Sequence, residues 1–147
     1  MTLSLFPDVN VWLALTHSRH AHHPPAVRWL DSLAAATVFF CRFTQMGLLR
    51  LLTNDHVMED DVLGQRAAWR AYRRWYDDER VEFLREPESP EFESMFEKLS
   101  ESIRPSTKLW ADAYLAAFAK TAGLTLVTFD RGFQRMKLVD VRVLVTG

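Results

Sequence analysis

The chain has 147 residues, 48% of them hydrophobic and 25% charged, with a formal net charge of −1. That length suits one domain with a substantial core and is short for two, and the balance of residues is that of an ordinary globular protein. It excludes a globally basic nucleic-acid binder or a polybasic membrane-surface protein, so any nucleic-acid site has to be a local patch. Cys41 is the sole cysteine, which rules out an intrachain disulfide and favours a reducing, cytoplasmic compartment. No signal-type N-terminal segment and no apolar run of membrane-spanning length is expected.

In chain order, Leu3–Phe6 predicts a short buried strand and Val9–His17 a helix. Ala26–Ala35 returns to helical spacing through Val27, Leu30 and Leu33, with Pro24 and Pro25 suited to the helix start. "TVFFC" is β-branched and aromatic, a second strand. "TQMGLLRLLTN" places Met46, Leu49 and Leu52 at helix spacing, with Asn54 as its stop. "EDDVLGQRAAWRAYRRWYDDE" predicts one longer helix with its acids at the end where the helix dipole favours them. "VEFL" is a third strand. Glu86–Glu101, broken by Pro87 and Pro90, reads as a loop and then a solvated helix. "TKLWADAYLAAFAKTAG" predicts a helix stopped by Gly123, and "LTLVTFD" and "VRVLV" are strands. Apolar strands alternating with helices predict one α/β domain over residues 1–147, a parallel sheet covered on both faces.

The carboxyl edge of such a sheet carries the active crevice. Asp8 follows the first strand and Asp130 follows "LTLVT", so parallel strands deliver both to that edge. Asp112 lies in the apolar context "LWADAYLAA", early in a helix. Each has a plainer reading: Asp8 as a helix cap, Asp130 as a turn ending at Gly132, Asp112 as a salt-bridge partner of Lys108. Together they suggest a divalent-metal site for phosphodiester cleavage, since Mg²⁺ takes carboxylate, water and phosphate oxygens.

Four segments in order, "FPDVNVWLAL", "CRFTQMGLLRLLTN", "WADAYLAAFA" and "LVTFDRGF", resemble the PIN-domain ribonucleases of the VapC toxin type. The resemblance covers nearly the whole chain. It implies a three-layer α/β/α fold, RNA cleavage dependent on Mg²⁺ with Mn²⁺ as a substitute, an inhibiting cognate antitoxin, and a homodimer. On the matching positions it implies that Asp8, Asp112 and Asp130 hold the metal, with Asn10 and Thr128 in support. Where the pattern usually has a glutamate, this chain has Gln45, which can offer an amide oxygen but no charge. The alternative is therefore a weak or inactive PIN-like module that binds RNA or protein. A phosphoacceptor regulatory domain also sets acids at strand ends, but "FPDVN" lacks its paired acids and "LVTG" its late lysine.

Arg42, Lys108 and Arg131 lie within a few residues of the proposed site and are the RNA-binding candidates. In "QRAAWRAYRRWYDDE", Trp69, Tyr72 and Tyr76 stand at i, i+3 and i+7, which predicts a packing face with arginines on its margin. His17, His20, His22 and His23 crowd one loop without the spacing of a zinc site; phosphate contact suits them better. Cys41 reads as a small buried residue.

Overall fold

The computed structural model describes residues 2–146. Five strands, β1 (Leu3–Pro7), β2 (Ala36–Phe40), β3 (Val81–Phe83), β4 (Thr125–Thr128) and β5 (Val141–Val143), form one sheet in the order β3-β2-β1-β4-β5. Every neighbouring pair is parallel. The helices are α1 (Val9–Thr16), α2 (His23–Asp31), α3 (Arg42–Leu52), α4 (Asp55–Met58), α5 (Gln65–Arg74), α6 (Pro90–Ser100) and α7 (Thr107–Ala122).

The continuous apolar character of the strands has a direct cause. Successive strand side chains point to opposite faces, and both faces are covered. Leu5, Val38, Phe40 and Val127 join a core with residues of α1, α2, α3 and α5, whereas Phe6 and Leu126 join a second core with α6 and α7. Stacked rings mark each layer, Trp12 on Phe40 at 3.7 Å between centroids and Phe6 on Phe118 at 4.8 Å. The expected three-layer α/β/α architecture is the one found.

Several expected boundaries move. Cys41 leaves the strand and caps α3, its backbone N–H donating to Thr44 Oγ1 at 2.9 Å. α2 ends at Asp31 rather than Ala35, with the Arg80 guanidinium donating to the Leu30 carbonyl at 2.7 Å. Asn54 starts α4 instead of stopping α3, since its side-chain oxygen accepts the His56 N–H at 2.9 Å. The long helix expected from Glu59 is broken. Glu59–Asp61 form a 3₁₀ turn entered through a positive φ of 51° at Glu59, and α5 starts only after the extended Gly64. Its acids therefore do not sit on the first turn of α5.

α6 is more than a solvated helix: Phe92 is buried, and Met95, Phe96 and Leu99 pack in the same core as Leu115 and Phe118 of α7. On α5 Tyr72 packs inward, its hydroxyl hydrogen-bonded to that of Tyr76 in the 3₁₀ turn Trp75–Asp77, while Trp69 stays exposed under the Arg73 guanidinium. Gly123 ends α7 at φ 71°, the left-handed conformation a glycine adopts without strain. No helix among the described residues is long and apolar enough to cross a membrane.

Candidate active site

The parallel register of β1 and β4 builds the centre. Beyond Pro7, paired with Val127, the Asp8 N–H donates to the Val127 carbonyl at 2.9 Å. The ladder thereby sets Asp8 beside Thr128 at the carboxyl edge. The Asp8 carboxylate accepts the Val11 N–H at 3.1 Å, capping α1, and the Thr128 hydroxyl at 2.5 Å. Only 6% of Asp8 is exposed. Burial pushes its pKa up to about 6, against the Thr128 hydroxyl and the Val11 and Asn10 N–H groups, with the Asp112 charge adding to the rise.

Thr128 Oγ1 also accepts the Asp130 N–H at 2.9 Å, so one hydroxyl ties the two strand-end acids together. Asp130 caps the 3₁₀ turn Arg131–Arg135 by accepting the Gly132 N–H at 2.7 Å. Its outer oxygen accepts from Lys108 Nζ at 2.8 Å. Lys108 and then the Gly132 N–H hold the Asp130 carboxyl below its usual range. Asp112, half-buried, lies 4.0 Å from the same ammonium. Burial raises its pKa, partly offset by Lys108 and reinforced by Asp130. The Lys108 partnership expected with Asp112 is thus made more closely with Asp130, because α7 lays its first turn across the end of β4.

The plain readings hold for two of the acids: Asp8 caps a helix and Asp130 starts a turn. Among the described residues, however, no three His, Cys, Asp or Glu groups are gathered closely enough to hold a metal alone. The donor chemistry still fits a hard divalent cation. The groups are carboxylates without thiol or imidazole, and a cation, the Lys108 ammonium, is already accommodated between Asp112 and Asp130. Mg²⁺ commonly binds through one or two carboxylates and keeps several waters, which suits acids that are near one another rather than converged.

A cleft of about 580 Å³ opens over this edge, lined by Lys98, Lys108, Asp112, Asp130, Arg135 and Lys137. Lys98, Arg135 and Lys137 were not singled out from sequence, since they belong to segments that only the fold brings round the acids. Arg131 is exposed and Asn10 is exposed in the first turn of α1. Gln45 is buried, and its amide oxygen accepts from Arg42 Nη1 at 2.6 Å, with the Arg42 guanidinium 5.0 Å over the Phe83 ring.

The histidine loop does not form a metal cage. His17 Nε2 lies 3.0 Å from Asp61, which also takes two bonds from Arg19, and His23 Nδ1 lies 2.7 Å from the Ala14 carbonyl. His22 packs on Phe129 at 4.9 Å, beside the acid edge. Cys41 is buried, and burial pushes its thiol pKa up, which suits a packing residue and not a nucleophile.

The PIN domain sequence profile matches residues 5–138. The chain belongs to the PIN-domain family. Its resemblance within that family is to the VapC type: it is 42% identical over 144 residues to Ribonuclease VapC41 of Mycobacterium tuberculosis, spanning 95% of this chain and 98% of that protein. The PIN fold agrees with solved structures. VapC20 of Mycobacterium tuberculosis, a sarcin-ricin-loop-cleaving toxin, superposes with a TM-score of 0.68 at 24% identity, over 94% of this chain and 98% of that one. VapBC2 of Rickettsia felis, solved with a fragment of promoter DNA, gives 0.67 at 11% identity over 97% and 100%. At such identities these structures support the fold of this PIN domain alone.

Proposed function

We propose that this PIN domain is a metal-dependent endoribonuclease, the toxin of a toxin–antitoxin pair, acting on cytoplasmic RNA as a single unit over residues 1–147. Asp8, Asp112 and Asp130 hold Mg²⁺, or Mn²⁺ in its place, with Asn10, Gln45 and Thr128 in support. The observation that carries this reading is Thr128, whose hydroxyl joins the Asp8 carboxylate to the backbone N–H of Asp130, with Asp112 and Lys108 at the same edge. When bound, the divalent ion supplies positive charge for the phosphate and a water more acidic than bulk water.

The chain's own groups do the rest. Thr128 fixes the orientation of Asp8, and the capped turn fixes Asp130. Lys108, Lys98, Arg135 and Lys137 give the acidic centre a cationic rim that draws in a phosphate backbone despite the near-neutral net charge. Arg131 and Arg42 are further contacts for RNA, Arg42 from a neighbouring cleft. The 42% identity to a protein named a ribonuclease favours catalysis over the non-catalytic alternative raised by Gln45. A cognate antitoxin and a homodimer complete the proposal; two of the similar solved structures are VapBC assemblies.

The test is cleavage of a mixed pool of structured RNA by purified protein in Mg²⁺, Mn²⁺ or EDTA, beside Asp8→Asn and Asp112→Asn. Cuts that need the ion and vanish in both variants are expected. Cuts that persist in EDTA or in both variants would reject the site.

A further inference from the structure

A second cleft, of about 590 Å³, opens between α3, the end of β3 and α7, and is lined by Arg42, Phe43, Met46, Phe83, Arg85 and Tyr114 among others. We propose that it is a nucleotide subsite, taking a base and phosphate that flank the one being cut. The proposal rests on the reading of RNA as substrate.

Position comes first. Phe83 ends β3 and Arg42 follows β2, both at the carboxyl edge that carries Asp8. β3 lies two strands from β1 in the sheet, so the end of β3 is about 10 Å from Asp8 at the usual strand spacing. Tyr114 stands on α7 two residues beyond Asp112, a spacing that turns the two side chains to different sides of the helix, Asp112 to the acid cleft and Tyr114 to this one. A single strand running along the sheet edge from the acids reaches this cleft next.

The wall chemistry matches an unpaired nucleotide. Phe43 and Met46 are 38% and 53% exposed, and the Phe43 ring sits 5.4 Å from that of Tyr114. Exposed rings of this kind stack on any base face. Arg42 and Arg85 bring two positive charges, while the neighbouring acid Glu86 is engaged by the Tyr114 hydroxyl at 2.7 Å. Arg42 is also held in place. The buried Gln45 amide oxygen accepts from its Nη1, and the Phe83 ring lies beneath its guanidinium. That arrangement spares Arg42 much of the ordering cost of a mobile surface arginine. It also gives Gln45 a task, as a positioning residue for Arg42, that a neutral amide performs without adding negative charge where phosphate must bind.

The test uses full-length protein carrying Asp112→Asn, in EDTA, titrated with a labelled short single-stranded RNA of mixed sequence at several salt concentrations. Adding Arg42→Ala is expected to weaken binding about tenfold and to lower the slope of log K against log salt by about 0.7, the loss of one phosphate contact on a single strand. Phe43→Ala is expected to weaken binding at least about fivefold with the slope unchanged. Gln45→Leu should behave as Arg42→Ala, and Gln45→Glu, which still accepts from Arg42 but adds a negative charge, should bind RNA more tightly than Gln45→Leu and more weakly than the parent protein. In the cleaving protein Arg42→Ala and Phe43→Ala raise KM more than they lower kcat. RNA cleavage by the wild type with unaltered affinity and slope in both Arg42→Ala and Phe43→Ala overturns the subsite and leaves the nuclease standing. An altered sedimentation coefficient with RNA affinity intact also overturns it, because the face is then a contact between copies of the chain. Neither cleavage nor RNA binding by the wild type rejects both proposals.

Discussion

Thr128 Oγ1 donates to Asp8 Oδ2 at 2.5 Å across 120 positions of sequence, and the same oxygen accepts the Asp130 N–H. One hydroxyl therefore orients the Asp8 carboxylate and holds the Asp130 backbone. Thr128→Val keeps the shape of the side chain and deletes both bonds. The expected result is a loss of 10- to 100-fold in RNA cleavage, the usual cost of removing a group that orients a ligand, with an unchanged far-UV circular dichroism spectrum. Thr128→Ser should recover most of the loss.

Burial of Asp8 sets a stability that depends on pH. Its pKa rises from 3.8 to about 6 on folding, so between those values the folded chain holds a proton that the unfolded chain has lost. Stability from this group is therefore lost as pH rises through that window, and above pH 6 the buried charge costs about 3 kcal/mol. Asp8→Asn removes the cost and keeps an acceptor for Thr128. In EDTA, melting of the two proteins should nearly coincide at pH 4, with the variant ahead by on the order of 10 °C at pH 7.5. Equal gaps at both pH values would contradict the assignment.

Addition of Mg²⁺ or Mn²⁺ at pH 7.5 should raise the melting temperature of the wild type in proportion to the logarithm of ion concentration once the site is saturated. Asp112→Asn and Asp8→Asn should blunt the rise. Lys108→Ala should steepen the response at low ion concentration, because its ammonium competes for Asp112 and Asp130, and should raise KM for RNA. A Lys108→Ala protein that needs more ion than the wild type would argue that the lysine assists ion binding.

Gly47 sits where α3 crosses α1. A Cβ built there would lie 2.6 Å and 2.9 Å from the two methyl carbons of Val9, the residue after Asp8. Gly47→Ala should destabilise the protein by about 1–3 kcal/mol in urea unfolding. It should also depress cleavage, since α1 has to shift and carries the Asp8 cap with it. Gly64→Ala, with open space around its Cβ position, is the control and should change neither.

The readings that held were those in which one element explains its own residues. β1 and β4 were legible because strands covered on both faces leave no charged residues inside them, so Asp8 and Asp130 marked their ends. Gly123 and Pro24 announced helix limits through backbone preference alone. What was not legible depended on partners remote in sequence. Arg80 truncates α2 from fifty residues away, and the acidic composition of α6 hid an apolar stripe that only α7 gives meaning. Lys108 was matched to Asp112 by helical spacing, while the sheet brings Asp130 nearer. Gln45 looked like the defect of a metal site, and its bond to Arg42 is invisible without the turn of α3 that places them together.

Lys108 gives the acidic centre a counter-charge of its own. The Asp112 and Asp130 carboxylates can be balanced from within the chain as soon as α7 lies against β4, and folding need not wait for an inorganic ion. For a nuclease of the proposed kind this means a chain that is complete in shape before it is competent to cut. Assembly and arming become separate events, and the interval between them is open to a partner protein.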